Sequence, residues 1–233
     1  MGTRISGISS MATRQVLAEL CSAYERQSGD TVADVVSFES VGGVDAAKRV
    51  QAGEAFDVVV LAANAIDALV AAGRIDAASK VDLVHSGVAV AVRAGAPRPD
   101  IGSEAALRQA VLAARNLSVS TGPSGVQLAK LFERWGIAEQ IQGRIVQAPP
   151  GVPVGSLVAR GEVELGFQQL SELLHLEGID VIGPLPPAVQ IVTTFSAGVC
   201  TGSARADAAR RLLAFMRSPQ AAEAKRRHGM DPA

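Results

Sequence analysis

Strand-like and helix-like segments alternate along the whole chain, and this alternation constrains the fold more than any other feature. The apolar segment "DVVVL" (57–61) has the composition of a buried strand, whereas "SGVQLAKLFERWGI" (124–137) has apolar residues at helical spacing. Strands that alternate with helices are typical of α/β proteins with mainly parallel sheets. We therefore predict an α/β fold, which includes a strand at 3–8, a helix at 11–28, and further strands at 31–38 and at "RIVQ" (144–147).

Two long β-like stretches, 83–95 and 189–200, bracket a central block of the sequence. This arrangement predicts two lobes: residues 1–82 plus 192–233 form lobe 1, and residues 83–191 form an inserted lobe 2. The chain would cross between the lobes twice. Ligands of such bilobal α/β proteins bind in the cleft, at the carboxyl ends of strands. We therefore expect a ligand site in the cleft.

The composition excludes several classes of function. A net charge of −1 and an aromatic content of 3% argue against a nucleic-acid partner, which would need a positive surface and stacking side chains. Cys21 and Cys200 stand in no metal-binding spacing, so we expect buried thiols, no metal and no cofactor. No apolar run approaches the roughly 20 residues of a membrane span, so we expect no direct membrane insertion. We expect either a cytoplasmic protein, since no signal peptide is apparent, or a periplasmic one whose leader has been removed.

Four loops place small residues directly before a predicted helix. They lie at Ser9–Ser10 and in the segments 37–48, 118–130 and 146–159, and they supply the candidate ligand residues Ser9, Ser10, Gly42, Gly43 and Thr121. Free N–H groups and the helix dipole at such ends favour negative charge, and glycine lets a ligand approach the backbone. Simple helix capping is the alternative, and it readily explains two of the four loops. None of the loops has the phosphate-binding pattern GxxxxGK[ST].

Several segments resemble the molybdate-binding proteins of ABC transporters and their relatives, which have the type II periplasmic-binding-protein fold. The resemblance covers nearly the whole chain, and its carriers include "GISSMATRQVLAEL" (7–20), "AAKRVQAGEAFDVVVLAANAIDALVAAGRID" (46–76), "GPSGVQLAKLFERWGI" (122–137) and "SPQAAEAKRRHG" (218–229). It implies a bilobal fold with two mixed-sheet lobes joined by two crossings. It also implies a small anionic ligand, an oxyanion or an organic carboxylate, and it makes an ABC-transporter permease a candidate partner.

The resemblance also implies which groups hold the ligand: two serine hydroxyls, backbone N–H groups and a tyrosine hydroxyl. The first serine corresponds to Ser9, and Ser40 is the nearest candidate for the second, across a short insertion. The backbone donors correspond to Ser124, Gly125 and Val152 with its neighbours. The tyrosine position holds Gln169, in the amide pair Gln168–Gln169. This departure favours a larger, organic anion over molybdate, because an amide both donates and accepts hydrogen bonds.

An enzymatic alternative comes from the stretches "GFQQLSELL" (166–174) and "GIDVIGPLPPAVQ" (178–190), which resemble an aconitate isomerase-like branch of the same family. Such an enzyme moves a double bond within a tricarboxylate, and this 1,3-proton shift needs a base near the substrate carbon. The candidate bases are Glu39 and Asp45, although the favoured interpretation of these residues is a loop carboxylate and an acid in the first turn of a helix. We expect a non-catalytic solute-binding protein, in which Ser9 both caps its helix and donates its hydroxyl to the ligand.

Overall fold

The computed structural model describes residues 4–27, 35–149 and 151–233. The strands are β1 (Arg4–Ser10), β2 (Val35–Val41), β3 (Val58–Ala62), β4 (Val81–Arg93), β5 (Leu117–Val119), β6 (Leu165–Gln169), β7 (Ile179–Pro184), β8 (Val192–Val199) and β9 (Met230–Pro232). The helices are α1 (Arg14–Gln27), α2 (Gly43–Gln51), α3 (Ala63–Ala71), α4 (Glu104–Ala113), α5 (Pro123–Arg134), α6 (Ala138–Ile141), α7 (Val154–Ala159), α8 (Leu170–Leu173), α9 (Ala206–Arg217) and α10 (Ala222–Arg227). Single 3-10 turns lie at Met11–Thr13, Ala77–Ser79, Gln142–Arg144, Pro187–Val189 and Pro219–Ala221.

The chain divides into two compact units. Unit 1 contains the residues up to His85 together with Thr194–Ala233, and unit 2 contains Ser86–Thr193. The chain therefore passes from one unit to the other within β4 and again within β8. These two strands pair with each other.

In unit 1, β1 pairs in parallel with both β2 and β3, and β3 pairs antiparallel with β8. Alternate residues of β3 face opposite sides of the sheet, as the strand period of two requires. Val58 and Val60 lie in a core cluster with apolar residues of α1 and α9, whereas Val59 and Leu61 lie in a cluster with those of α2 and α3. Helices thus cover both faces of this sheet, which explains why β3 is apolar throughout.

Asp57, which directly precedes β3, is a buried carboxylate with several partners. It accepts hydrogen bonds from the backbone N–H of Ser6 (2.9 Å) and from the hydroxyls of Ser6 (3.1 Å) and Ser203 (2.7 Å). The guanidinium of Arg205 lies 3.6 Å from it. Burial raises the pKa of Asp57, but the hydrogen bonds and Arg205 outweigh burial and hold this pKa below its ordinary value.

In unit 2, β4 pairs antiparallel with β6 and β7, and β5 pairs in parallel with β6. Along β6, Leu165 and Phe167 pack in the cluster formed with α4 and α5. Gly166 faces α7, because a Cβ there would lie 2.5 Å from a methyl group of Val158. The same alternation places Gln168 on the α7 side and Gln169 on the other side.

Two details of the predicted elements were wrong. "RIVQ" (144–147) is not a strand, since Ile145 forms only an isolated bridge to Leu117. The helix predicted at 11–28 begins as a 3-10 turn and becomes α-helical only at Arg14. Of the predicted strand 31–38, residues 31–34 lie outside the described residues, as do Ser28 of the predicted helix and residue 3 of the predicted first strand.

Candidate functional site

The carboxyl ends of β1 and β2 bring two candidate serines together. The parallel register places Ser9 opposite Ser40, and their Oγ atoms lie 2.8 Å apart. Ser9 is fully buried, and its hydroxyl also lies 3.3 Å from the carbonyl oxygen of Ser10. If Ser9 donates to that carbonyl, Ser40 donates to Ser9. Reorienting these two hydroxyls would supply two donors to an anion at this edge of the sheet.

Ser10, rather than Ser9, caps the turn that follows β1. The Ser10 hydroxyl accepts a hydrogen bond from the backbone N–H of Ala12 at 3.3 Å. The expectation that Ser9 caps the helix was therefore wrong. Ser10 is the last residue of the strand and stands two residues before the orphan N–H, whereas the Ser9 side chain is directed toward β2.

The start of α2 lies beside this serine pair. Gly42 is the N-cap residue, and the first N–H groups of a helix have no partner within it. A Cβ at Gly43 would lie 3.6 Å from the Ser10 hydroxyl, and one at Gly42 would lie 3.4 Å from the carboxylate of Asp45. Ser9, Ser10, Ser40, Gly42 and Gly43 therefore form one group at the end of the unit 1 sheet, with Asp45 at its edge.

Glu39 is already engaged with a cation. Its carboxylate accepts two hydrogen bonds from the guanidinium of Arg49, at 2.6 and 2.9 Å. The hydrogen bond from Arg49 is the main cause of a lowered pKa of Glu39. A carboxylate held in this way is a weaker proton acceptor, so the pairing argues against Glu39 as a general base.

In unit 2, the candidate residues Ser124 and Gly125 lie in the first turn of α5, and Thr121 lies exposed just before it. The Ser124 hydroxyl is 3.0 Å from that of Ser120, so these two share a hydrogen bond. Gly125 is required by packing, because a Cβ there would lie 1.7 Å from the carbonyl oxygen of Ser120. The β5–α5 connection therefore lies tightly against the helix start.

The loop before α7 differs from the expectation for Val152. Its backbone N–H, expected to be a donor to the ligand, instead donates to the carbonyl of Pro149 at 3.0 Å. Two donors further along the chain are also engaged: Ser156 N–H donates to the carbonyl of Pro153, and Gly155 N–H donates to the side chain of Gln168 at 3.2 Å. The tight turn that starts α7 uses these groups internally, so a ligand would have to displace an existing bond.

Gln168 is buried and has a partner at each end of its amide. Its Oε1 accepts from Gly155, and its Nε2 donates to the carboxylate of Glu172 at 2.9 Å. Burial raises the pKa of Glu172 to about 7, and the hydrogen bond from Gln168 opposes this shift. Sequence reasoning missed Glu172. Its position four residues after Gln168, in a helix that directly follows the strand, was the available signal.

Gln169 is also buried, but only half of its amide has a partner among the described residues. Its Nε2 donates to the hydroxyl of Thr193 at 2.8 Å. Its Oε1 has no hydrogen-bond partner in the described part of the chain. A buried acceptor without a donor costs about 1–3 kcal/mol, so a donor brought by a ligand or by water would stabilise this atom.

The described residues were also examined for a reactive thiol, a metal site and a membrane-spanning helix. Cys21 and Cys200 are buried free thiols, and burial raises their pKa to about 12 and about 11, which disfavours the nucleophilic thiolate. No group of three His, Cys, Asp or Glu side chains in residues 4–27, 35–149 and 151–233 could hold a metal ion. None of the helices within those ranges is long and apolar enough to cross a membrane.

The comparisons define the class of protein. The family model described as bacterial extracellular solute-binding protein matches residues 5–231, so the chain belongs to this family. The periplasmic molybdate-binding protein of Azotobacter vinelandii has a TM-score of 0.80 at 19% identity, over 97% of this chain and 98% of that one. The sulfate-binding protein of Mycobacterium tuberculosis has a TM-score of 0.77 at 18% identity, over 99% and 87%. The predicted periplasmic-binding-protein fold is confirmed.

One curated relative has a much higher sequence identity to this chain than these two solved structures. The aconitate isomerase of a Pseudomonas species is 37% identical over 233 residues, which cover 99% of this chain and 88% of that protein. The predicted resemblance to both the molybdate-binding proteins and an aconitate isomerase-like branch is therefore confirmed.

Proposed function

We propose that this solute-binding protein takes a small organic carboxylate as its ligand, and that Ser9, Ser40 and Gln169 contact it. Units 1 and 2 would then act as the two lobes of the binding protein. The observation that carries the proposal is the buried Oε1 of Gln169, which lacks a donor among the described residues. A ligand that brings a hydroxyl or a protonated carboxyl would supply that donor.

A tetrahedral oxyanion fits these residues less well. Fully ionised molybdate or sulfate only accepts hydrogen bonds, so it can use the hydroxyls of Ser9 and Ser40 but has no proton for Gln169. Leaving that carbonyl unpaired beside the ligand would cost about 1–3 kcal/mol. The relatives named for molybdate and sulfate support an anionic ligand in general, and an ABC-transporter permease is the partner that such relatives suggest.

A thermal-shift screen tests the proposal. Citrate and other hydroxycarboxylates, whose hydroxyl can donate to Gln169, should raise the melting temperature more than molybdate, tungstate or sulfate at equal concentration. Gln169→Tyr should shift this preference toward molybdate, while Gln220→Tyr on an exposed surface should leave it unchanged. Strong stabilisation of the unmodified protein by molybdate, with none by any carboxylate, would refute the proposal.

A second candidate function is aconitate isomerisation, which the 37% identity to the Pseudomonas enzyme favours. Asp45 is the better of the two candidate bases, because Arg49 already holds Glu39. Incubation with trans-aconitate, followed by proton NMR, should then show cis-aconitate increasing with time. Asp45→Asn should abolish the conversion and Glu39→Gln should retain it. Binding of trans-aconitate without any conversion would leave solute binding as the function.

A further inference from the structure

The side chain of Gln169 reaches across β4. Gln169 lies directly opposite Val88 of β4, and β8 lies on the other side of β4. The Gln169 amide donates from Nε2 to the hydroxyl of Thr193 in β8, at 2.8 Å. Gln169 is also the N-cap residue of α8, yet its side chain makes no capping hydrogen bond there. The amide is therefore held by Thr193 and not by its own helix.

The hydrogen bond to Thr193 determines which end of the amide is left over. Both side chains are about nine-tenths buried or more, at 4% exposure for Gln169 and 9% for Thr193. With Nε2 engaged, the atom without a partner among the described residues is Oε1. A hydroxyl that accepts a hydrogen bond still has its own proton to donate, and Thr193 donates it to no group within residues 4–27, 35–149 and 151–233. The pair thus offers one acceptor and one donor close together.

One acceptor close to one donor matches a hydroxycarboxylate. The hydroxyl of such a ligand can donate to the Gln169 carbonyl, and a neighbouring carboxylate oxygen can accept from Thr193. A carboxylate without a hydroxyl, or an ionised oxyanion, can use only the donor. The opposite orientation of the amide would remove this preference, because Thr193 would then donate to Oε1 and only N–H groups would be left for a ligand.

We propose that Thr193 is a specificity-determining residue, which selects hydroxycarboxylates among the carboxylates that the protein binds. It positions Gln169 with the carbonyl available to the ligand hydroxyl, and it donates its own proton to a carboxylate of the same ligand. This inference rests on the proposed function, because it requires a carboxylate in contact with Gln169. It adds a residue to the proposed site and narrows the class of ligand.

Calorimetry with citrate and tricarballylate tests this role, since tricarballylate is the same tricarboxylate without the hydroxyl. The wild type should bind citrate roughly tenfold more tightly than tricarballylate, the value of one hydrogen bond in a buried site. The Thr193→Val variant keeps the shape of the side chain and removes the hydroxyl, so the amide can turn. The preference for citrate should then fall to within about threefold, and the Thr193→Ser variant should retain the wild-type preference.

Thr194→Val is the matched control. The Thr194 hydroxyl lies 3.0 Å from Nδ1 of His85, so this variant also loses a hydrogen bond in β8 but should keep the preference for citrate. A lower melting temperature of Thr193→Val with an unchanged preference would make Thr193 a structural residue and overturn the inference alone. Equal binding of citrate and tricarballylate by the wild type, both tighter than molybdate, would do the same. Absence of binding by both carboxylates overturns the proposed function as well.

Discussion

Replacing Ser9 with alanine separates a ligand-binding role from a structural one. The change removes the 2.8 Å hydrogen bond to Ser40 and the 3.3 Å contact with the Ser10 carbonyl. Ser40 is only partly buried, so water can replace its lost partner. The net loss of folding stability is therefore about 0.5–1.5 kcal/mol, and the melting temperature should fall by roughly 1–6 °C for a chain of this size.

The effect on binding should be larger than this structural loss explains. A hydrogen bond from a hydroxyl to a charged group contributes more than a neutral one, so we expect affinity for the carboxylate to weaken by about 1–2 kcal/mol. This corresponds to roughly a 5- to 30-fold rise in Kd, measured by calorimetry. Ser40→Ala should behave similarly, and the double variant should lose less than the sum because the two hydroxyls act as one unit.

A matched control is Ser79→Ala, outside the candidate site. Ser79 is buried, donates to the carbonyl of Asp76 at 2.6 Å and accepts from the N–H of Val199 at 2.8 Å. Its removal should lower the melting temperature by at least as much as Ser9→Ala while leaving Kd unchanged. If Ser9→Ala lowers the melting temperature and leaves Kd at its wild-type value, Ser9 is a structural residue only and the reasoning fails.

Three further predictions concern packing, pH and thiol chemistry. Gly125→Ala places a Cβ 1.7 Å from the carbonyl oxygen of Ser120, so we expect the free energy of unfolding, measured with denaturant, to fall by about 3 kcal/mol or more. Gly143 has open space around it, so Gly143→Ala should unfold like the wild type. The pKa of Asp57 is lower in the folded state than in the unfolded state, so the charged carboxylate stabilises the fold above the unfolded-state pKa. This stabilisation is lost as the pH falls through the folded-state pKa. The Asp57→Asn variant should therefore be less stable than the wild type at pH 7 and should lose less stability on acidification. Cys21 and Cys200 should react with a thiol reagent at pH 8 only as fast as the protein unfolds, and rapid labelling of the native protein would contradict their burial.

Sequence patterns were sufficient for the fold class because long segments have strong periodicity. The helix α5 was predicted from the spacing of Leu128, Leu131 and Phe132, which are buried in the unit 2 core. The strand prediction for "RIVQ" (144–147) was wrong for a physical reason. Four residues with two apolar ones match a strand pattern, but strand pairing depends on a neighbouring strand that the local sequence does not specify. In the structure the segment reaches β5 only through an isolated bridge between Ile145 and Leu117, in which the N–H of Val146 donates to the Leu117 carbonyl at 2.8 Å.

The candidate site was predictable where it depends on the ends of strands. The position of Ser9 at the end of β1 and of Ser40 at the end of β2 follows from parallel pairing, and their hydroxyls do meet. The partners of Gln168 were not predictable, because they depend on how α7 and α8 pack around β6. The N–H of Val152, which the resemblance had suggested as a donor, is engaged by a local turn to Pro149, and the N–H of Gly155 is engaged by Gln168.

The central claim is that the ligand is an organic carboxylate, and calorimetric titration tests it most directly. Trans-aconitate, citrate and molybdate should be titrated into the same preparation at pH 7, and each should then be titrated in competition with the others. The account predicts roughly 5- to 150-fold tighter binding of citrate, whose hydroxyl can donate to Gln169, than of molybdate, since an unpaired Gln169 carbonyl costs about 1–3 kcal/mol. Sub-micromolar molybdate binding that no carboxylate displaces would contradict the account.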